Sequence, residues 1–167
     1  MALTLVLVRH GKAQRMNEAP SDEARTLTPE GRAALEEAFP ESFSLLEYDP
    51  DDVEIWSSPA LRAIETAAEV CHVLGVEEID EHPSLFFQDV EGFLEELIER
   101  LQERDEGTVV VVGHVPFMDD VCYELSGDAI VFSTGGVAAI RIDSDHLMER
   151  SSKAPGKLLW YVQGPEV

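Results

Sequence analysis

Two stretches of the chain are uninterrupted runs of apolar residues. Residues 3–8 read LTLVLV, and residues 108–112 read TVVVV. Because both faces of such a segment are apolar, each run is typical of a strand buried inside a parallel sheet. Shorter apolar segments predict further strands at residues 53–56 and 76–80.

Signals for helices lie between these strands. Thr28 followed by Pro29 predicts an N-cap and a first helical residue. Ser58 followed by Pro59 predicts the same start for the next helix, which Gly75 ends. The predicted helices cover about residues 29–43, 59–74, 90–104 and 117–125.

Three late apolar segments, at residues 129–134, 137–142 and 158–162, predict strands near the edge of the sheet. Too few residues separate them for crossover helices. The alternation of strands and helices predicts a three-layer α/β fold, with an open, mostly parallel sheet and helices on both faces. With neither a repeat nor a linker in the sequence, we expect a single domain over residues 1–167.

The charge of the chain limits its partners. Among 167 residues, 34 are acidic and 12 are basic, which gives a formal net charge of −22. Such a surface repels nucleic acids and anionic lipids, so we expect neither nucleic acid nor membrane as a partner. Solubility explains the charge, and adaptation to high salt is the alternative.

The cysteines and the N-terminal apolar run predict a compartment. Cys71 and Cys122 lie 51 positions apart and form no CxxC pair, which is typical of a reducing environment. The run at residues 3–8 is too short for a membrane span or for the core of a signal peptide. We therefore expect a cytoplasmic protein.

Histidine and arginine residues follow the predicted strands. Arg9, His10 and Gly11 come after the first strand, Arg62 lies in the helix after the second, and His114 follows TVVVV. The carboxyl ends of parallel strands share one edge of the sheet, so these side chains are expected to meet there. Arginine forks and the N-termini of the following helices would bind phosphate oxygens, which predicts an anion pocket for phosphoryl chemistry.

Three motifs carry a family resemblance: LVRHGKA at residues 7–13, SSPALRAIET at 57–66 and VVGHVPFM at 111–118. Together they resemble the histidine phosphatase superfamily, and the short length resembles its small SixA-type branch of phosphohistidine phosphatases. Ser21-Asp22, Arg25, Leu27-Thr28 and Gly31 also match the loop and helix of that branch. The resemblance implies a phosphoglycerate mutase-like fold.

The resemblance also implies roles for individual residues. It makes His10 the nucleophile that becomes phosphorylated, with Arg9, Arg62 and His114 holding the phosphoryl oxygens. Arg25 is then expected to close the pocket. Gly11 is expected to contribute to substrate binding as part of the first motif. The pocket supplies its own cations, so neither a metal ion nor another cofactor is expected.

The general acid is where the sequence departs from the larger family members. His114 is followed by Val115 rather than by aspartate, and Ser84 stands where a carboxylate is found in relatives. Asp89 and Glu91 are the remaining candidates, although acids at such positions favour the first turn of a helix.

The departure at the general acid favours a substrate with a good leaving group. An alkoxide needs acid catalysis more than an imidazole does, since the latter's conjugate acid titrates near 6.5. The expected substrate is phosphohistidine on a His-containing phosphotransfer domain. A small phosphate ester is the alternative substrate, and a non-catalytic phosphoprotein-binding module is the alternative function.

Overall fold

A computed structural model describes residues 2–149 and 154–167. Its strands are β1 (Ala2–Arg9), β2 (Val53–Ser57), β3 (Asp80–Glu81), β4 (Gly107–Gly113), β5 (Val137–Asp143) and β6 (Gly156–Val162). Its α-helices are α1 (Pro29–Ser42), α2 (Leu61–Leu74), α3 (Pro83–Phe86), α4 (Val90–Glu103), α5 (Phe117–Ser126) and α6 (Ser144–Met148). In the described part of the chain, no helix combines the length and the apolar character needed to cross a membrane.

The strands form one sheet in the order β3-β2-β4-β1-β5-β6. The first four of these run parallel to their neighbours, whereas β5 is antiparallel to β1 and β6 is antiparallel to β5. The prediction of a mostly parallel sheet is therefore confirmed. Arg9 pairs with Gly113, and Ser57 pairs with Val112. The loops that follow β1, β2 and β4 consequently leave the sheet at the same edge.

Helices cover both faces of the sheet, which confirms the three-layer prediction. Successive residues of a strand point to opposite faces, and Leu5 and Val6 belong to two different apolar cores. The core around Leu5 contains Phe93 of α4 and Val121 of α5. The core around Val6 contains the α1 and α2 side chains Leu35, Phe39, Ala67 and Val70.

Two helix starts were predicted from cap signals, and the structure confirms one of them. The Thr28 hydroxyl accepts a hydrogen bond from the Gly31 N–H, and α1 begins at Pro29. The prediction that Pro59 begins α2 is wrong, because the helix starts at Leu61. Ser58 belongs instead to the turn that joins β2 to α2. The end of α2 is as predicted, with Gly75 in the left-handed conformation at a φ of 73°.

Two predicted strands were also wrong. The segment at residues 76–80 contributes only Asp80 to a two-residue edge strand. Its acidic residues, Glu77, Glu78 and Asp80, are all exposed. Residues 129–134 form a loop. Phe132 in this loop hydrogen-bonds to the side chains of Asp119 and Arg9 instead of to a neighbouring strand.

Candidate active site

The structure brings Arg9, His10, Arg62 and His114 together at the carboxyl edge of the parallel strands. Arg9 ends β1, His114 directly follows β4, and Arg62 is the second residue of α2. The ring centroids of His10 and His114 lie 5.3 Å apart in an edge-to-face arrangement. Nη2 of Arg62 lies 3.3 Å from Nδ1 of His114. Two imidazoles and two guanidinium groups therefore share one small region of a strongly acidic protein.

The backbone holds His10 in one tautomer. Its Nδ1 lies 2.7 Å from the carbonyl oxygen of Gly11, and because a carbonyl only accepts, Nδ1 carries the hydrogen. Burial lowers the pKa of His10 to about 3, and the positive charges of Arg62 and Arg9 add to this shift. At neutral pH His10 is consequently a neutral imidazole whose Nε2 keeps its lone pair.

Gly11 enters the site through its backbone. Besides accepting from His10, it donates its N–H to Oγ1 of Thr66 at 3.1 Å. The Thr66 hydroxyl in turn donates to the carbonyl oxygen of Arg62 at 2.7 Å. A Cβ atom at Gly11 would lie 2.7 Å from Cδ1 of Leu35. A side chain at this position would therefore displace Leu35, and Gly11 links the nucleophile candidate to the first turn of α2.

His114 is held in the opposite tautomer. A guanidinium group only donates, so Nδ1 of His114 accepts from Arg62. Its Nε2 then carries the hydrogen and donates to Oγ of Ser58 at 2.8 Å. Burial, followed by the charge of Arg62, lowers the pKa of His114 to about 4. Both imidazoles of the site are thus neutral at neutral pH.

Arg9 and Arg62 are largely removed from solvent and keep unused donors. Nη1 of Arg9 donates to the carbonyl oxygen of Phe132 at 2.8 Å, and Nη1 of Arg62 donates to that of Asp22 at 2.7 Å. The Nε atom of each arginine is buried and has no acceptor among the described residues. A buried N–H without an acceptor costs about 1–3 kcal/mol. A guanidinium group has five N–H donors, and phosphoryl oxygens are suitable acceptors for those that remain accessible.

The carboxylate of Asp22 lies between two arginines. It accepts from Nη1 of Arg25 at 2.9 Å and from Nη2 of Arg62 at 3.3 Å. The hydrogen bond from Arg25, with further contributions from Arg62, lowers the pKa of Asp22. Nε of Arg25 also donates to the carbonyl oxygen of Gln14 at 2.7 Å. Arg25 therefore joins the site through Asp22, which remains ionised and is a poor proton donor.

Ser84 and the two candidates for a general acid, Asp89 and Glu91, lie at or against α4. The Ser84 hydroxyl donates to Oε2 of Glu96 at 3.0 Å. Oδ1 of Asp89 accepts from the Gly92 N–H at 3.0 Å and caps α4. Glu91 is an exposed residue in the first turn of the same helix. Asp89 thus has the structural role that its position at the start of a helix favours.

The expectation that helix N-termini offer backbone donors to the anion is wrong at three positions. The Leu61 N–H donates to the carbonyl oxygen of Glu23 at 2.9 Å, and the next N–H of α2 donates to that of Arg25. At the start of α5, the Phe117 N–H donates to Oε1 of Gln88 at 2.9 Å. These groups already have protein acceptors, so the positive character of the pocket comes from side chains.

Sequence reasoning missed three contributors to the site. Ser58 was interpreted only as a helix cap, and Asp22 only as part of a matching loop. Phe132 was assigned to a strand, although its carbonyl oxygen holds Arg9. Ser58 and Asp22 lie within the motifs SSPALRAIET and SDEAR, so motif position was a usable signal for both. Phe132 gave no such signal, because it lies 123 positions from its partner.

The sequence and the fold are similar to those of known phosphatases. The model of the histidine phosphatase superfamily (branch 1) matches residues 5–86. The solved structure of the putative phosphohistidine phosphatase SixA from Nakamurella multipartitia is 27% identical. That match covers 100% of this chain and 98% of the other, with a TM-score of 0.76. Residues 5–86 therefore match the histidine phosphatase superfamily, and the whole chain shares the fold of a putative phosphohistidine phosphatase.

Two more solved structures place the fold within the range of histidine phosphatases and related enzymes. The protein histidine phosphatase SixA complexed with tungstate is 24% identical, with a TM-score of 0.79 over 96% of this chain and 97% of that one. The mycobacterial glucosyl-3-phosphoglycerate phosphatase is 14% identical, with a TM-score of 0.71 over 99% and 100%. No curated protein matches the sequence.

Superfamily and fold together identify the protein as a phosphatase. Within the described parts of this histidine phosphatase, no group of three or more His, Cys, Asp or Glu side chains is arranged to hold a metal ion. The cationic groups of its pocket include Arg9 and Arg62, and Asp22 links Arg25 to Arg62.

Proposed function

We propose that this protein is a cytoplasmic phosphohistidine phosphatase that dephosphorylates a His-containing phosphotransfer protein, with His10 as the nucleophile. The observation that carries the proposal is the state of His10. Its ring is neutral, Nδ1–H is fixed on the carbonyl oxygen of Gly11, and Nε2 is free to attack. The buried Arg62 and the half-buried Arg9 flank it, which suits a group that gains negative charge during transfer.

The reaction proceeds in two displacements. In the first, the lone pair on Nε2 of His10 forms a bond to phosphorus, and the bond between phosphorus and the leaving nitrogen breaks with its electron pair. The other ring nitrogen of the substrate phosphohistidine carries a proton, so the substrate histidine leaves as a neutral imidazole. Arg9 and Arg62 hold the phosphoryl oxygens during this step, and Arg25 closes the pocket. His114 joins them when its Nε2–H turns from Oγ of Ser58 to a phosphoryl oxygen. In the second step water attacks phosphorus, and the bond to Nε2 breaks with its electron pair, which restores the neutral imidazole of His10. The proton that the attacking water loses passes to a phosphoryl oxygen, so the product is H2PO4⁻.

The candidate proton donors near the pocket are ionised or engaged elsewhere, which favours a substrate with a nitrogen leaving group. Asp22 is held ionised by two arginines, while Ser84 and Asp89 contact α4. General acid catalysis contributes about 10² to 10⁴ in rate when the leaving group is a poor one. An imidazole leaves with little assistance, because its conjugate acid titrates near 6.5. Phosphohistidine therefore suits this site better than an alkyl phosphate.

Exposed apolar side chains beside the pocket favour a protein substrate. Leu61 is 42% exposed and directly precedes Arg62. Phe87 is 74% exposed. It follows Phe86, whose ring lies edge-on to the imidazole of His114 at a centroid distance of 6.1 Å. Val131 is 84% exposed and directly precedes Phe132, whose carbonyl oxygen accepts from Arg9. A phosphorylated protein that brings its phosphoryl group to the pocket would cover these side chains.

A small phosphate ester is the second candidate substrate. The fold shared with the mycobacterial glucosyl-3-phosphoglycerate phosphatase supports it. A non-catalytic binding module is a weaker explanation, because simple anion binding does not require a neutral histidine with a fixed tautomer.

The test compares two substrates with matched variants. The wild-type protein should dephosphorylate a phosphorylated His-containing phosphotransfer protein with a higher kcat/KM than p-nitrophenyl phosphate. Phe87→Ala and Val131→Ala should lower kcat/KM about 10-fold on the phosphoprotein only, as loss of a buried anchor residue does. Leu45→Ala is the control, since Leu45 is 64% exposed and follows the C-terminus of α1. Preference for the small ester, with no effect of either variant, would contradict the proposed substrate.

A further inference from the structure

The loop at residues 132–136 holds Arg9 at several points. The Phe132 carbonyl oxygen accepts from Nη1 of Arg9 at 2.8 Å. The Arg9 N–H donates to the carbonyl oxygen of Gly136 at 3.1 Å, and the Gly135 N–H donates to the carbonyl oxygens of Arg9 and His10 at 3.0 and 3.1 Å. The position of this loop therefore sets the position of both the Arg9 guanidinium and the backbone beside it.

Two side chains from other elements fix the 132–136 loop. Oδ1 of Asp119, in the first turn of α5, accepts from the Phe132 N–H at 3.0 Å. The hydroxyl of Tyr161, in β6, accepts from the Ser133 N–H at 3.0 Å. The Tyr161 ring also packs edge-on against Phe132 at a centroid distance of 5.3 Å. The backbone N–H groups of Phe132 and Ser133 thus donate to side chains, whereas those of a strand donate to the backbone of a neighbouring strand.

Asp119 also supports the charge of Arg9. Burial lowers the pKa of Arg9, and the negative charge of Asp119 is the main influence that opposes this shift. The carboxylate therefore stabilises the guanidinium cation in its partly desolvated position. Asp119 thus acts on Arg9 in two ways, through its charge and through its hydrogen bond to the loop that holds Arg9.

We infer that Asp119 and Tyr161 are positioning residues that set the strength of phosphoryl binding through Arg9. The inference rests on the proposed function, in which Arg9 holds the phosphoryl group. Neither residue needs to touch the substrate, since a shift of about 1 Å in a positioned group can cost up to about 10² in rate. Their effect should therefore disappear when Arg9 is removed.

A double-mutant cycle between Tyr161 and Arg9 tests the coupling. Tyr161→Phe keeps the ring and removes the acceptor, and it should weaken binding of inorganic phosphate and lower kcat/KM on p-nitrophenyl phosphate by about 3- to 10-fold. In the Arg9→Gln background the same change should have an effect of less than about 1.5-fold on phosphate binding. Tyr123→Phe is the control, because Tyr123 is 60% exposed on α5, and it should leave both quantities unchanged.

Asp119 is tested by separating its hydrogen bond from its charge. Asp119→Ala removes the acceptor for the Phe132 N–H and should weaken phosphate binding by about 3- to 10-fold. Asp119→Asn keeps an acceptor oxygen and should remain within about 2-fold of wild type. Asp120→Ala is the matched control, because Asp120 is an exposed acid of the same helical turn and its loss affects the helix N-terminus equally.

The outcomes separate this inference from the proposed function. If Tyr161→Phe weakens phosphate binding equally with and without Arg9, or if Tyr161→Phe and Asp119→Ala both bind phosphate like wild type, the positioning role is overturned. If Arg9→Gln itself binds phosphate and turns over substrate like wild type, the role of Arg9 in the proposed function fails, and the inference fails with it. Urea unfolding of each variant establishes that the folded fraction is unchanged.

Discussion

Removing the hydroxyl of Ser58 should damage the site more than its position in the sequence suggests. Oγ of Ser58 accepts from Nε2–H of His114 at 2.8 Å and from the Ala60 N–H at 3.2 Å. Ser58 is 0% exposed and His114 is 5% exposed, so water does not readily replace the lost acceptor. Ser58→Ala therefore leaves a buried N–H without a partner, which costs about 1–3 kcal/mol of the free energy of unfolding. In a domain of this size that is a decrease in Tm of roughly 3–10 °C.

The effect on catalysis should exceed the effect on stability. His114 also accepts from Arg62 at 3.3 Å, so a reoriented imidazole changes the position of the guanidinium as well. A misplacement of this kind lowers kcat/KM by about 10- to 100-fold. Steady-state kinetics on a phosphorylated phosphotransfer protein, together with urea unfolding, would measure both quantities.

Ser57→Ala is the matched control for Ser58→Ala. Ser57 is also 0% exposed, but its hydroxyl donates to the Ser58 carbonyl oxygen at 2.9 Å and does not contact a histidine. Its loss should cost about 1 kcal/mol of stability and leave kcat/KM near the wild-type value. If the two variants lose the same activity, or if Ser58→Ala is fully active, the assignment of the His114 tautomer is refuted.

Three further predictions concern pH, the cap of α4 and metal dependence. The pKa values of His10 and His114 are lowered to about 3 and about 4, so the free energy of unfolding should be highest above about pH 6.5 and fall toward pH 4, by up to about 1.4 kcal/mol per pH unit for each histidine. Urea unfolding at several pH values should show a shallower slope for His10→Gln and His114→Gln, and an unchanged slope would contradict their buried neutral state. Asp89→Ala should cost about 1 kcal/mol of stability as a lost N-cap without changing turnover of phosphohistidine, whereas inactivity of Asp89→Asn would restore Asp89 as a general acid. EDTA should leave the rate unchanged because the arginines supply the positive charge, and strict Mg²⁺ dependence would point to a carboxylate site instead.

The central strands, the start of α1 and the end of α2 were predictable because their signals are local. The apolar runs of β1 and β4, the Thr28 cap of α1 and the Gly75 end of α2 depend on residues that are close in sequence. The motifs after β1, β2 and β4 also gave the main residues that the structure brings together.

The remaining features depend on contacts between distant residues. Ser58 lies 56 positions from His114, so its place in a motif marks it as part of the site but does not identify its partner. The segment at residues 129–134 has the composition of a strand. Its backbone N–H groups nevertheless donate to the side chains of Asp119 and Tyr161 and not to a neighbouring strand. Such competition between a side-chain acceptor and a sheet neighbour is decided by the tertiary structure.

The site of covalent phosphorylation tests the account most directly. Rapid quench with isotope-labelled substrate, followed by peptide mapping, should find the label on His10 as an acid-labile, base-stable phosphoenzyme. His10→Ala should have no turnover and still bind phosphate through Arg9, Arg62 and His114, whereas Arg62→Ala should lose binding and rate together. Label on any other residue, or full activity of His10→Ala, would contradict the proposed mechanism.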